Sequence, residues 1–298
     1  MSDVDTGRLG LFFGVLVGLA AGFVAVSLLA NIRMVTLASL YMFTPMAAGL
    51  VVCVARDIPL STVGLRVGRA RWLAVAALVA LPLVGLALAV AVAMPSVAFD
   101  PSVDPLPGVS LPLGLLGVAA TFGIALALGA TVNAVFAFGE EFGWRGYLLW
   151  ELAPLGFWKA SAAIGVVWGL WHAPIIADGY NYPSFPVVGV AAMTVACLAF
   201  SPLYTYLVLR AESVLAAALV HGVFNGSAGL VVAHAVADGA VLEELVASPV
   251  GVAGVVAFGL AAAAIAAAGA PTLTREFAGG ERSVGGGDAT RVGGGPAE

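Results

Sequence analysis

Apolar residues run through this chain in blocks of about the length of a membrane span, separated by short polar or Pro- and Gly-bearing segments. A helix needs about 20 apolar residues to cross a bilayer. Eight blocks meet or approach that need: Leu9–Ala30, Met34–Ala55, Trp72–Met94, a stretch within Leu113–Leu152, Trp158–Ala177, Val187–Leu209, Ser213–Ala235 and Pro249–Ala268. In hydrocarbon every backbone N–H and C=O must find a partner within the segment, so the blocks are expected as helices despite their many valines. The fold class that follows is all-α, a polytopic transmembrane bundle of about eight helices. Pro45 and Pro82 are expected to kink the second and third helices. The first block is longer than a signal-peptide core of about 7–15 residues and is expected as a retained anchor.

The fourth block is too long for one crossing, so its first part is expected to be interfacial or re-entrant. No proline interrupts Leu115–Ala153, and a helix can continue from there to a stop at Pro154. The chain divides into residues 1–111 with three helices and their loops, a core unit at 112–235, a last helix within 236–270 and a disordered cytoplasmic tail at 271–298. Ile58–Arg71 reads as a basic amphipathic connector lying on the inner leaflet. Phe99–Leu111 reads as an outer loop.

Composition agrees with the pattern. The chain is 61% hydrophobic and 10% charged, against about 25% charged in soluble domains. Its first partner is therefore the lipid bilayer, as a multi-pass protein of the cell membrane. With both termini cytoplasmic, every basic residue except Arg33 falls in a cytoplasmic segment, counting Arg145 with the cytoplasmic end of its helix. Net charge is −5, and nucleic acid is not an expected partner. Cys53 and Cys197 lie in apolar runs, form no CxxC and are expected to pack against lipid or core.

Charge inside such blocks costs about 2.5–3.5 kcal/mol per group on insertion scales and marks function by default. The fourth block carries Glu140, Glu141 and Arg145. Glu141 and Arg145 are i and i+4, one turn apart on a shared face, while Glu140 points about 100° away. One acid can thus be salt-bridged while its neighbour faces elsewhere; the plainer alternative is an interfacial charge cluster. Two histidines stand at i, i+4 spacing with a second residue: Trp168 with His172, and His221 with Asn225. Each alone could be an interhelical hydrogen-bond donor. His234 is expected at the interface, outside the site. Measured from the cytoplasmic helix ends, Glu140 and His172 lie roughly 21 Å deep and His221 roughly 17 Å, so three helices bring these groups to a similar level. Ser227 is flanked by small residues, but it is six positions from His221 and does not share its face.

A carboxylate at low dielectric can exchange a proton near neutral pH and act as general base and acid. Glu140, His172 and His221 could instead hold Zn²⁺ or another divalent ion with an open position for water, although His-Glu-x-x-His is absent. Donors such as His221 and Asn225 could stabilise an oxyanion. Each route leads to hydrolysis of a carbonyl.

Together the three motifs resemble the CPBP family of intramembrane metalloproteases, also called the Abi or CAAX-protease family, which includes the type II CAAX prenyl endopeptidases. Glu140, Glu141 and Arg145 match its Glu-Glu-x-x-x-Arg, Trp168 and His172 its Phe-x-x-x-His, and His221 and Asn225 its His-x-x-x-Asn. The resemblance spans roughly residues 118–232. It implies that Glu140 activates water, that His172 assists or binds a metal, that His221 and Asn225 hold the oxyanion or His221 ligates a metal, and that Glu141 and Arg145 form the supporting ion pair. Trp168 departs from the motif's Phe by its size and its N–H. The implied substrate is a membrane-anchored peptide, prenylated at its C-terminus or a leader, reached from the cytoplasmic side. An ion-coupled transporter with a Glu–His relay and a silent scaffold are the other classes; no second Glu-Glu segment marks a transporter repeat.

Overall fold

The computed structural model describes residues 3–103, 111–112 and 114–279. It is a bundle of long apolar helices with one two-stranded ribbon. Among the described residues, seven helices are long and apolar enough to cross a membrane: α1 (Thr6–Ala30), α2 (Met34–Ala55), α3 (Ala70–Val92), α4 (Leu115–Glu151), α5 (Phe157–Ala177), α6 (Pro186–Ala211) and α7 (Leu215–His234). An eighth apolar helix, α8 (Val252–Ala268), has 17 residues, about 26 Å of rise. The strands β1 (Val97–Phe99) and β2 (Ala235–Ala237) pair antiparallel, Val97 opposite Ala237.

Contacts at the helix ends sort the chain into two faces. At one, the buried Glu151 carboxylate accepts from the Asp5 backbone N–H, from Arg8 Nε at 2.6 Å and from Arg275 Nη2 at 2.7 Å. At that face also, Val214 N–H donates to Gly64 O, Arg69 N–H to Ala211 O, and Arg66 to Ala278 O. At the other, Arg33 pairs with Asp178, His234 Nδ1–H donates to Asp100 O, and Ser184 N–H donates to Glu244. Short as it is, α8 carries the chain from the second face back to the first, so the alternation expected of eight helices holds. His234 sits at the end of α7, as expected, but buried.

Three expectations need correction. The long fourth block has no re-entrant part: α4 is one continuous helical rod of 37 residues, about 56 Å against a hydrocarbon core of about 30 Å. Part of that length packs closely on α7, where Gly129 and Gly222 face each other. A Cβ on Gly222 would fall 2.6 Å from Ala134 Cα, so glycine sets this close approach. The Ile58–Arg71 connector is not a surface helix; it is a chain of turns with Val63 fully buried, tied to the α6–α7 turn. The start of the tail is docked, with Leu273, Phe277 and Ala278 buried; residues 280–298 lie outside the described residues, as do 104–110 of the outer loop.

In α2, Pro45 marks a break, as expected. A proline has no N–H to give the carbonyl four residues back, here that of Tyr41. The Thr44 hydroxyl donates to Tyr41 O instead, at 2.9 Å. Trp171 Nε1 donates to the same hydroxyl oxygen, and Tyr41 OH donates to Trp171 O. The break in α2 is thereby clamped to the end of α5.

Candidate active site

Glu140 and Glu141 close an α-helical segment of α4, and the next seven residues, Phe142–Leu148, are π-helical. A π turn widens the helix by one residue and recurs at functional sites. Across it Arg145 Nη1 donates to both Glu141 oxygens at 3.1 Å, with both side chains fully buried. Arg145 Nη2 donates to Ser201 Oγ on α6. The guanidinium lies over the Trp168 ring at 4.3 Å and the Tyr204 ring at 4.9 Å. Carboxylate, hydroxyl and two π faces together replace the water this cation gives up.

Glu140 faces a different way, as the spacing required. Its Oε2 accepts from Trp168 Nε1 at 2.7 Å. The residue that departs from the family motif is therefore a direct partner of the reactive-acid candidate, through the N–H that phenylalanine lacks.

Pro174 determines how His172 is presented. The helix of α5 is regular over Phe157–Trp171 and resumes at Ala173; at the joint, His172 N–H donates to Gly169 O rather than to Trp168 O. The freed Trp168 carbonyl accepts from the His172 ring at Nδ1, 2.7 Å away. A carbonyl only accepts, so Nδ1 carries the proton and neutral His172 has its lone pair on Nε2. On α7, His221 Nδ1 lies 2.8 Å from Glu141 Oε1 and donates to that carboxylate, leaving its Nε2 to the other side. Glu141 is thus clasped between Arg145 and His221.

A cavity of about 450 Å³ opens over these groups. Glu140, Trp168, His172, His221 and Asn225 all line it; Glu141 and Arg145 stand behind its wall. Every residue the motifs singled out is therefore at the cavity or directly supports it, whereas His234 and Ser227 are not, Ser227 Oγ donating to Val223 O. Cys53 and Cys197 are both core residues, as expected, and Cys197 also lines the cavity. Burial and the Glu140 carboxyl hold the Tyr180 phenol above its usual range, so it meets the cavity as a neutral O–H.

Sequence reasoning missed Ser201, Tyr204, Tyr180 and Glu244. The available signal was physical: a buried arginine has five donors and one carboxylate cannot satisfy them all, so polar residues in neighbouring apolar blocks were due. For a metal, the donors are of suitable type, but among the described residues no three His, Cys, Asp or Glu side chains are arranged to hold an ion.

Residues 122–227 match the family model described as type II CAAX prenyl endopeptidase Rce1-like. The CAAX prenyl protease 2 of Methanococcus maripaludis is 43% identical over 49 residues, which are 15% of this chain and 18% of the relative. The matched region contains both acids, Arg145, both cavity histidines and Asn225.

Proposed function

With the helices that build the cavity matching the type II CAAX prenyl endopeptidases over residues 122–227, we propose that this multi-pass membrane protein is an intramembrane endopeptidase that works by glutamate-activated water. The observation that carries the reading is the convergence of Glu140, His172, His221 and Asn225, from α4, α5 and α7, on one cavity.

In this reading Glu140 takes a proton from a cavity water as the water oxygen attacks the peptide carbonyl. The Trp168 N–H holds one Glu140 oxygen and leaves the other for the water. The lone pair on His172 Nε2 accepts the water's second O–H and fixes its direction. The Asn225 amide, and His221 as the imidazolium with Glu141 as counter-charge, donate to the oxygen that becomes negative. Collapse of the tetrahedral intermediate breaks the C–N bond, and Glu140 returns its proton to the leaving amine. Arg145 neutralises Glu141 and positions His221 through it.

The test uses purified protein in liposomes with fluorogenic C-terminal peptides, prenylated and unprenylated. Wild type is expected to cleave, and Glu140→Gln to lose at least a hundredfold in kcat while keeping its Tm. Cleavage by Glu140→Gln at the wild-type rate removes Glu140 from this role.

A further inference from the structure

We propose that the edge of the bundle formed by α3 and α6 holds an anionic phospholipid, with its phosphate between Arg71 and Arg210 and an acyl chain along Val75 and Leu78. The inference stands apart from the peptidase reading above.

Arg71 and Trp72 lie in the first turn of α3, and Arg210 stands one residue before the end of α6. Arg69 N–H donates to Ala211 O, which brings these two helix ends together. There the Trp72 and Tyr206 rings meet edge to face, with centroids 5.9 Å apart. The Arg210 guanidinium lies 5.0 Å from the Tyr206 ring and 5.7 Å from the Trp72 ring. The Arg71 guanidinium lies over Trp72 as well, at 6.0 Å. Two cations therefore share one indole.

Among the described residues no carboxylate pairs with either of them. Glu212, which follows Arg210 by two residues, is taken by Arg69. Trp72 Nε1 and Arg210 Nε are enclosed without an acceptor, so the cluster is rich in donors and has no acid. The π faces offset part of the charge. Two like charges beside one ring still repel, and an anion held between them is attracted by both.

The residues further along α3 determine which anion fits. Arg71, Val75 and Leu78 are spaced i, i+4 and i+7 and share a face. Val75 and Leu78 are exposed, which on a spanning helix means that they meet lipid. The cation pair thus sits at a helix end, at the level of the phospholipid phosphates, with aliphatic surface directly beyond it toward the bilayer centre. An anion joined to an apolar chain fits both parts, whereas a free phosphate fits the first alone. Trp and Tyr rings are enriched at this level of the membrane, and each arginine near an anionic headgroup strengthens binding by about fivefold.

The experiment is native mass spectrometry of the delipidated protein in detergent, titrated with phosphatidylglycerol, diacylglycerol or inorganic phosphate. Wild type is expected to retain phosphatidylglycerol at concentrations where the other two do not bind. Arg71→Gln is expected to weaken that binding by about fivefold, and Arg71→Gln with Arg210→Gln by about 25-fold. Arg71 is exposed, so the single variant is expected to keep the lipid-free Tm of wild type. Arg56→Gln, at an exposed arginine that ends α2, is expected to bind within twofold of wild type. Wild-type affinity in the double variant overturns the proposal. An equal loss in Arg56→Gln also overturns it, because the binding then follows net charge. Diacylglycerol bound as tightly as phosphatidylglycerol removes the phosphate from the site, and inorganic phosphate competing at equal concentration removes the lipid. Each readout is independent of peptide cleavage, so failure of the peptidase reading leaves this test intact.

Discussion

Trp168 Nε1 donates to Glu140 Oε2 across 2.7 Å, so an aromatic residue on α5 sets the orientation of an acid on α4. The same indole covers the Arg145 guanidinium at 4.3 Å. One side chain therefore touches both the acid that faces the cavity and the cation behind it.

Replacing that indole separates the two contacts. Trp168→Phe keeps a ring over Arg145 and removes the hydrogen bond to Glu140. A hydrogen bond to a charged group contributes about 1.5–3 kcal/mol, so kcat is expected to fall by about tenfold or more, with KM within twofold. Steady-state kinetics in liposomes measure it; an unchanged kcat means that Glu140 is held well enough by the backbone alone.

The ion pair behind the wall is expected to act on stability. Arg145→Ala strands the Glu141 carboxylate at zero exposure, and breaking a buried pair costs about 3–5 kcal/mol. The paired change Glu141→Gln with Arg145→Met removes both charges and is expected to recover most of the lost Tm without recovering cleavage, because His221 loses its carboxylate. Thermal unfolding in detergent reports the first effect, and peptide cleavage the second. Equal Tm values for Arg145→Ala and wild type would count against the pair.

Pro174 offers a test with opposite signs for stability and activity. With Pro174→Ala the helix can run on, His172 N–H returns to Trp168 O, and the imidazole loses its fixed acceptor. A proline inside a helix costs about 3 kcal/mol, so Tm is expected to hold or rise. Cleavage is expected to fall severalfold, because Nε2 is no longer aimed. Equal kcat in both proteins rejects this role for the joint.

Much of this was legible in the chain because lipid simplifies the code. Backbone satisfaction forces helices, so the apolar blocks gave the spans, and rare charges marked the site. The Glu141–Arg145 pair and the outward-turned Glu140 followed from helical spacing alone. The π turn over Phe142–Leu148 did not, since it arises where Gly143 and Gly139 let α4 press against the broken α2, close to Phe43 and Pro45. The hydrogen bond from Trp168 was half visible: its N–H was noted, but its partner depends on the distance between two helices. The lining of the mouth was hidden for a similar reason. It is formed by 180–183 and 243–250, segments far apart in sequence that are joined where Ser184 N–H donates to Glu244 and Tyr182 O–H donates to Val250 O.

Charge at that mouth gives the last prediction. Glu243 lines the cavity and is exposed to solvent, so it can meet a peptide without repacking the bundle, whereas Glu244 is buried and holds Ser184 N–H. Exposed ion pairs contribute about 0.2–1 kcal/mol. Glu243→Lys is therefore expected to raise KM for a peptide with a basic residue beside the cleaved bond by about threefold, and to lower it for an acidic analogue. The expected kcat is unchanged for both, since Glu140, His172 and His221 keep their partners. Screening should shrink the difference as salt rises, because the Debye length falls to about 3 Å at 1 M. Kinetics on the peptide pair at low and high salt measure this. If KM for the two peptides moves together, Glu243 acts on the fold of the mouth and not on the charge of what passes it.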